Sequence, residues 1–151
     1  MPDCYLTRGR EALIARLQAD DTLSEWVRSW FTWSGDRQVR LVADPAHCPY
    51  CGVAPDDGGD DQDTNASSRV TQGLVIAFGN DAMDVAGLES ALAALRDICQ
   101  AARDDALGLS GEGLVDVRLR SWRWIALPAE SGSRVVWTCE CTVELRWRRT
   151  T

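Results

Sequence analysis

Hydrophobic positions near the N-terminus recur at helical spacing. In TRGREALIARLQADD, which starts at Thr7, the apolar side chains share one side of a helix and arginine and glutamate take the other. The T-x-x-E sequence that starts at Thr22 is typical of a capping box and predicts a second helix, in which Trp26 and Trp30 lie one turn apart. The pattern therefore predicts two N-terminal helices, the second ending at 33–35.

The middle of the chain combines short apolar runs with one long amphipathic segment. VRLVAD at 39–44 predicts a short strand, and TQGLVIAFG at 71–79 predicts a buried central strand. Asp84 has the position of an N-cap for VAGLESALAALRDICQAARDD, whose apolar residues recur at helical spacing. Three glycines end this helical pattern: Gly108, Gly111 and Gly113.

The C-terminal third predicts two long antiparallel strands joined at PAESGS, residues 128–133. The first strand changes phase along its length, and a β-bulge near Ser121 accounts for the change. In the second strand, apolar side chains alternate onto one face, which consists of Val135, Trp137, Cys139, Cys141, Val143, Leu145 and Trp147. The other face carries Val136, Thr138, Glu140, Thr142, Glu144, Arg146 and Arg148.

Residues 55–69, PDDGGDDQDTNASSR, are strongly acidic and almost without apolar side chains. Such a segment buries too little surface to order itself, so we expect an exposed, flexible acidic loop. A calcium site is the alternative, because carboxylate oxygens are the ligands that Ca²⁺ takes. The spacing lacks the loop pattern and the terminal bidentate Glu of an EF-hand, which favours a solvated loop. The aspartates concerned are Asp56, Asp57, Asp60, Asp61 and Asp63.

Chain length and segment hydrophobicity limit the class of protein. A chain of 151 residues buries roughly two thirds of its unfolded surface, which suits one core. No apolar run is long enough to cross a bilayer, and MPDCYLTRGR lacks the features of a signal peptide. We therefore expect synthesis in the cytosol and no membrane association. In that reducing compartment, the six cysteines are expected to be thiols or ligands and not disulfides.

The segment HCPYCGVAP at 47–55 has three interpretations: a redox dithiol, a zinc knuckle or a tight loop. It resembles one knuckle of a zinc ribbon, with Cys48 and Cys51 as candidate ligands, but no second knuckle follows. Cys139 and Cys141 lie on the same apolar face of a strand, where cysteine usually packs as a small hydrophobic residue. A redox dithiol needs its first thiolate at a helix N-terminus, whereas glycine, proline and aspartates follow here. A structural loop is favoured, and no metal or cofactor is predicted.

Residue sets that are typical of catalytic sites are missing from the sequence. His47 is the single histidine, and there is neither a phosphate-cradling glycine-rich turn nor a nucleophile elbow. The sequence therefore predicts a protein that is not an enzyme, with no catalytic or cofactor-binding residues.

Charge divides the chain into two unlike parts. Residues 1–110 carry nine arginines and eighteen acids, a net −9, whereas residues 111–151 carry seven arginines and five acids, a net +2. The overall charge of −7 argues against a general nucleic-acid coat. No lysine occurs, and arginine suits protein interfaces because its planar group makes forked contacts with carboxylates. Codon bias is an equally good explanation of the arginine usage.

The order of these elements resembles that of the tail terminator proteins of long-tailed phages, in the lambda-like family. The likeness rests on REALIARLQADD as the opening helix, TQGLVIAFGNDAMDVAGLESALAALRDI as strand then helix, and LRSWRWIALPAESGSRVVWTCECTVELRW as the final hairpin. The likeness covers most of the chain, and it is a likeness in the order and pattern of elements without a diagnostic residue motif. The HCPYCG loop, the acidic insertion and the tryptophan-bearing second helix depart from the family's pattern.

The resemblance implies a structural virion protein with a single α+β domain over residues 1–151, a mixed or antiparallel sheet, a long C-terminal β-hairpin and helices packed on one face. Members of the family form a hexameric ring that caps the growing tail tube, stops its polymerisation and provides the head–tail joining surface. The implied partners are further copies of the chain, the tail tube protein and a head–tail connector or completion protein. DNA passes through the channel without specific binding. The implied location is the tail or neck of the virion, and the host cytoplasm during assembly.

A ring of this kind implies contacts between unlike surfaces of identical subunits. The candidate interface residues are Arg118, Arg120, Trp122, Arg123, Arg134, Arg146, Arg148, Asp60 and Asp61. The alternative is that the arginines are solvated and that the hairpin tryptophans pack in the core, which is the favoured location for Trp122, Trp124, Trp137 and Trp147. Two other functions fit the sequence: another connector or tail-completion protein, and a small zinc-binding interaction module that uses Cys48 and Cys51.

Overall fold

The computed structural model describes residues 4–32, 45–62, 67–81, 84–128 and 135–150, which form three α-helices and one five-stranded sheet. The helices are α1 (Tyr5–Ala19), α2 (Asp21–Trp26) and α3 (Val85–Asp105). The strands are β1 (Ser29–Thr32), β2 (Tyr50–Gln62), β3 (Ser67–Asn80), β4 (Leu114–Pro128) and β5 (Val135–Thr150). Short 3₁₀ turns lie at Pro45–His47, Ala106–Gly108 and Ser110–Glu112. The expected α+β class with a C-terminal hairpin is confirmed.

The sheet has the strand order β1-β2-β3-β5-β4. β1 runs parallel to β2, and every other neighbouring pair is antiparallel, so the sheet is mixed. The apolar run TQGLVIAFG lies in β3, the central strand, and its residues from Gly73 onward are buried. The expected central strand is confirmed, and β4 is left as an edge strand.

The main core lies between one face of the sheet and the helices. Alternate residues of β3, among them Ile76 and Phe78, face the same side as the apolar residues of β5 and pack with α1 and α3. Leu13 and Leu95, one from each helix, are fully buried there. The apolar face expected for the second hairpin strand is confirmed from Cys139 to Trp147, because alternation places these side chains under the helices.

The opposite face of the sheet is also buried at one end. Cys48, Tyr50, Ala77 and Val136 form a second, smaller apolar cluster there. The Tyr50 hydroxyl lies 3.0 Å from the Thr138 hydroxyl within the same buried region. The sequence places Val136, Thr138 and Glu140 on the polar face of the second hairpin strand, but all three are buried.

The second helix is shorter than expected and has a different cap. The Asp20 carboxylate accepts the Leu23 backbone N–H at 3.0 Å, so Asp20 and not Thr22 is the N-cap. The helix ends at Trp26, and Trp30 lies in β1, because the backbone N–H of Arg28 donates to the Pro49 carbonyl and the chain extends. The expectation of a helix that carries Trp26 and Trp30 one turn apart was wrong.

The acidic segment is largely strand and not loop. Residues 55–62 complete β2, and they pair with β3 down to Gln62 opposite Ser68. The register shifts between Asp56 and Gly59, where two glycines sit in the strand. The expected loop over 55–69 was wrong for these residues, because β3 supplies backbone hydrogen-bond partners that composition does not reveal. Residues 63–66 lie outside the described residues.

The long helix and the hairpin follow the prediction closely. The Asp84 side chain caps α3 by accepting the Gly87 N–H at 2.9 Å, and Gly108 and Gly113 adopt positive φ after the helix ends. The expected bulge is confirmed by a register shift between Leu119 and Ser121. The expected strand at 39–44, the helix end at 33–35 and the centre of the hairpin tip at 129–134 lie outside the described residues.

Candidate functional site

The two cysteines of HCPYCG lie on opposite sides of the sheet. Cys51 is fully buried in the main core, whereas Cys48 belongs to the smaller cluster with Tyr50 on the other face. Burial raises the pKa of the Cys51 thiol, which therefore stays protonated. The described ranges contain no group of three or more His, Cys, Asp or Glu side chains that could hold a metal ion.

The remaining strand and helix cysteines pack as core residues. Cys139 and Cys141 place their Sγ atoms 3.8 Å apart in β5, and Cys99 of α3 is buried in the same core. The hydrogen bond to Cys139 and burial both raise the pKa of the Cys141 thiol, and burial raises that of Cys99 to about 12. The hydrogen bond with Cys141 lowers the pKa of the Cys139 thiol. All three side chains are buried in the core, where they pack as small hydrophobic residues.

The candidate arginines of the hairpin form a network of ion pairs that we call the arginine ladder. It consists of Arg103 from α3, Arg118, Arg120 and Arg123 from β4, and Arg146 from β5, together with Asp116, Glu140 and Glu144. Asp116 bridges two arginines, at 3.1 Å and 3.0 Å, and Glu144 bridges two more, at 3.6 Å and 2.8 Å. Five arginines thus share three carboxylates in the described part of the chain, and the ladder keeps a net positive charge.

Glu140 is the member of the ladder that is placed most deeply. Its side chain is 6% exposed, and it accepts hydrogen bonds from Arg123 Nε at 3.1 Å and Nη2 at 3.0 Å. Such a buried carboxylate requires its cation, because removal of one partner leaves an uncompensated charge. Arg118 and Arg120 differ from Arg123 in this respect, since each shares its carboxylate with another arginine.

Two tryptophans lie exposed beside the ladder on β4. Trp122 and Trp124 are 51% and 41% exposed, and both face the helix side of the sheet because they pair with Cys141 and Cys139. The other two hairpin tryptophans are different: Trp147 is buried in the core and Trp137 packs partly against it. The core location considered for all four is therefore wrong for Trp122 and Trp124. Large exposed aromatic side chains of this kind are typical of interfaces.

The strand that carries these residues is an edge strand. Within the described residues β4 pairs only with β5, so its outer edge presents a row of backbone N–H and C=O groups. Bulges interrupt the register near Val115 and near Arg120, and the pairing runs unbroken from Ser121 to Pro128. A long edge with exposed aromatic residues is a template for pairing with another chain.

The other candidate residues lie at the far end of the strands. Arg146, Arg148 and Asp60 line one open groove of about 580 Å³ together with Arg69 and Trp147. Asp61 is in backbone register with Arg69 across β2 and β3. Arg134 lies outside the described residues. The fold thus brings the hairpin arginines together along β4 and β5, and places Asp60 beside two of them.

Sequence reasoning missed several members of this surface, among them Trp124, Arg69, Arg103 and the three carboxylates of the arginine ladder. Trp124 was recoverable, since it follows Trp122 by two residues and so shares its face in a strand. Arg69 and Arg103 come from β3 and α3, and only the packing of these elements on the hairpin brings them to the site.

Comparison with known proteins gives a likeness in structure only. No protein-family model matches the chain, and no curated protein matches it. Among solved structures, the chain is similar to a chain of the virion of a native gene transfer agent particle, with a TM-score of 0.63 and 19% sequence identity. The match covers 97% of this chain and 100% of that chain. At this identity, the likeness shows a shared fold.

Proposed function

We propose that this protein is a structural subunit of a phage-like virion, and that copies of it form a ring that caps the tail tube. The observation that carries the proposal is the fold shared with a virion chain over the whole of both chains. The layout that resembles tail terminator proteins points the same way and supplies the finer role. The proposed role is steric and needs no catalytic residue.

The charge layout supports assembly from identical subunits. The arginine ladder lies along β4 at one edge of the sheet, whereas Asp56, Asp57 and Asp60 lie on β2 toward the other. A chain whose two ends differ in charge is suited to head-to-tail contacts, which close into a ring when the rotation between neighbours closes. The proposed interface residues are Arg118, Arg120, Trp122, Arg123, Arg146, Arg148 and Asp60.

Termination follows from a ring with two unlike faces. One face of the ring is complementary to the last ring of tail tube protein, and the opposite face lacks the surface that recruits another tube ring, so elongation ends. That second face meets a connector or completion protein. DNA crosses the channel without specific contacts, because a chain with a net charge of −7 offers little attraction for phosphates. In this proposal the protein resides in the tail or neck of the virion and assembles in the host cytoplasm. No helix of the described ranges has the length and apolarity to span a membrane.

The test is the native mass of the purified protein, alone and with tail tube protein from the same particle. We expect a ring-sized species, either from the start or on addition of tube protein, and capped tubes of defined length in electron micrographs. A chain that stays monomeric with tube protein present, and leaves tube elongation unchanged, would overturn the terminator role.

A second virion role is favoured by the same observation. The structural likeness is to a chain of a virion, and it does not specify where in the particle that chain lies. The likeness therefore fits another head–tail connector or a tail-completion protein equally well. Co-purification separates the two roles, because a terminator retains tube protein whereas a completion protein retains the head connector.

A further inference from the structure

The two edges of the sheet carry opposite charges at the same height along the strands. Asp56 of β2 is opposite Gly73 of β3, Gly73 is opposite Glu144 of β5, and Glu144 is opposite Arg118 of β4. Asp56 and Arg118 thus stand at the two ends of one row, about 14 Å apart at three strand spacings. Trp30 and Trp124 end another such row, through Cys51, Phe78 and Cys139.

The acids of β2 lack the ion pairs that the acids near β4 have. Among the described residues, no salt bridge joins Asp56, Asp57 or Asp60 to an arginine, although Asp116, Glu140 and Glu144 are all bridged. Conversely, the arginine ladder has more guanidinium groups than carboxylates. These three carboxylates of β2 therefore make no salt bridge within the described residues, whereas the ladder beside β4 has arginines in excess.

Strand direction allows these edges to meet. β2 is antiparallel to β3, β3 to β5, and β5 to β4, so β4 runs antiparallel to β2. A second copy placed beside the first, with no shift along the strands, would bring its β2 edge against β4 in antiparallel orientation. In the described residues, β1 pairs with β2 only over Tyr50–Val53. This stretch precedes the acidic half of β2.

We propose that the β4 edge of one copy binds the β1–β2 edge of a second copy, with Arg118 of the first facing Asp56 of the second. Trp122 and Trp124 lie over the helix side of this junction and bury their exposed rings against the neighbour. Because the two edges differ, the contact is head-to-tail and leaves one edge of each kind open until a ring closes. The inference rests on the proposed function, and names the surface that builds the ring.

The test reverses charge on one edge at a time and measures self-association by analytical ultracentrifugation. The basic edge is reversed by Arg118→Glu, and the acidic edge by Asp56→Arg. Arg123 is left unchanged because it neutralises the buried Glu140. The control is Glu89→Arg, which changes the net charge as Asp56→Arg does at an exposed site on α3 that makes none of the ladder's ion pairs. Circular dichroism and thermal unfolding check that each variant is folded.

Each single-edge reversal is expected to weaken self-association at least about tenfold, because like charges then face each other across the contact. The chain with both edges reversed is expected to associate as the natural chain does, since its charges are again complementary. The control should behave as the natural chain, and 0.5 M salt should weaken association of the natural chain.

The outcomes separate the two proposals. If the natural chain forms a ring and the single-edge variants form it equally well, the proposed contact is wrong and the proposed ring still stands. A folded double-edge variant that fails to recover association would also overturn the contact. A natural chain that stays monomeric at every concentration, with and without tube protein, would overturn the proposed function together with the contact.

Discussion

Trp147 joins the N-terminal helix to the sheet through contacts that depend on a glycine. Its indole Nε1 donates to Gln72 Oε1 at 3.0 Å, and Gln72 Nε2 donates to the Leu6 carbonyl at 2.8 Å. The Tyr5 ring packs edge-on to the indole, with 5.0 Å between ring centroids. A Cβ added at Gly9 would lie 2.5 Å from Cζ2 of Trp147, so this helix approaches the ring only because residue 9 has no side chain.

Gly9→Ala is expected to destabilise the protein by up to about 2 kcal/mol. Alanine gains about 1 kcal/mol of helix propensity, but overpacking against a rigid, hydrogen-bonded indole costs about 1–3 kcal/mol. Urea unfolding gives the free energy of unfolding. Gly111→Ala is the matched control, because nothing lies within 4 Å of its added Cβ. If both variants were equally stable, the close contact between α1 and Trp147 would be disproved.

Thiol reactivity is decided by burial at each cysteine. Cys4 is exposed, and the other five cysteines are buried. We expect one thiol per chain to react rapidly with Ellman's reagent at pH 8, and all six after denaturation, because buried protonated thiols are poor nucleophiles. Cys4→Ser should remove the rapid reaction. A rapid phase that persists in this variant would show that one of the core cysteines is accessible.

The raised pKa of Cys99 predicts a loss of stability at alkaline pH. Burial moves this pKa from an ordinary 9.0 to about 12 in the folded chain. A raised folded-state pKa means that the stabilisation is fully present below about pH 9 and is lost as the pH rises toward 12. The melting temperature should fall between pH 8.5 and pH 10.5. Cys99→Ala should be less stable at pH 8 and lose less over that range; an unchanged slope would exclude Cys99 as a cause.

At the scale of elements, local pattern fails where tertiary contacts compete with it. The T-x-x-E sequence at Thr22 is a valid cap pattern, yet the helix is capped by Asp20, two residues before Thr22. The chain then leaves the helix because the Pro49 carbonyl accepts hydrogen bonds from Arg28 and Ser29. The helix-to-strand change at Trp26–Trp30 thus depends on residues more than twenty positions away.

Asp20→Ala is expected to cost about 1 kcal/mol of stability, since it removes the side-chain acceptor for the Leu23 N–H. Thr22→Ala is the control, and we expect a change within about 0.5 kcal/mol because an exposed threonine that is not a cap contributes little. Chemical denaturation of both variants measures the difference. The reverse order of effects would restore the capping box at Thr22.

At the scale of the whole molecule, the position of a strand in the sheet decides whether its tryptophan is exposed or buried. Trp122 lies on the edge strand, and Trp147 lies on β5, which has a strand on each side and α1 above it. The same residue type therefore serves the surface in one strand and the core in the next. Substitution of an exposed tryptophan therefore tests assembly, and substitution of a buried one tests stability.

Trp122→Ser is expected to leave the free energy of unfolding within about 0.5 kcal/mol while it weakens self-association, because the side chain is exposed in the single chain. Trp147→Ser is the contrasting variant and should lose about 3–5 kcal/mol, as large-to-small changes in a core do. Unfolding and sedimentation on the same samples measure both effects. Loss of stability with unchanged association in Trp122→Ser would place this residue in the fold and not at an interface.

Hydrophobic periodicity by itself determined the first and third helices, the central strand, the hairpin and its bulge. These elements have long, regular patterns, and their caps and turn glycines are local, so the sequence contains the forces that shape them. Tertiary structure alone decided the course of the chain over 27–32 and 45–62. There the acidic half of β2 is a strand because β3 offers its hydrogen-bonding edge, which no local pattern records. It also decided which arginines form the ladder, since the pairing of β4 with β5 and the packing of α3 beside β4 set those neighbours.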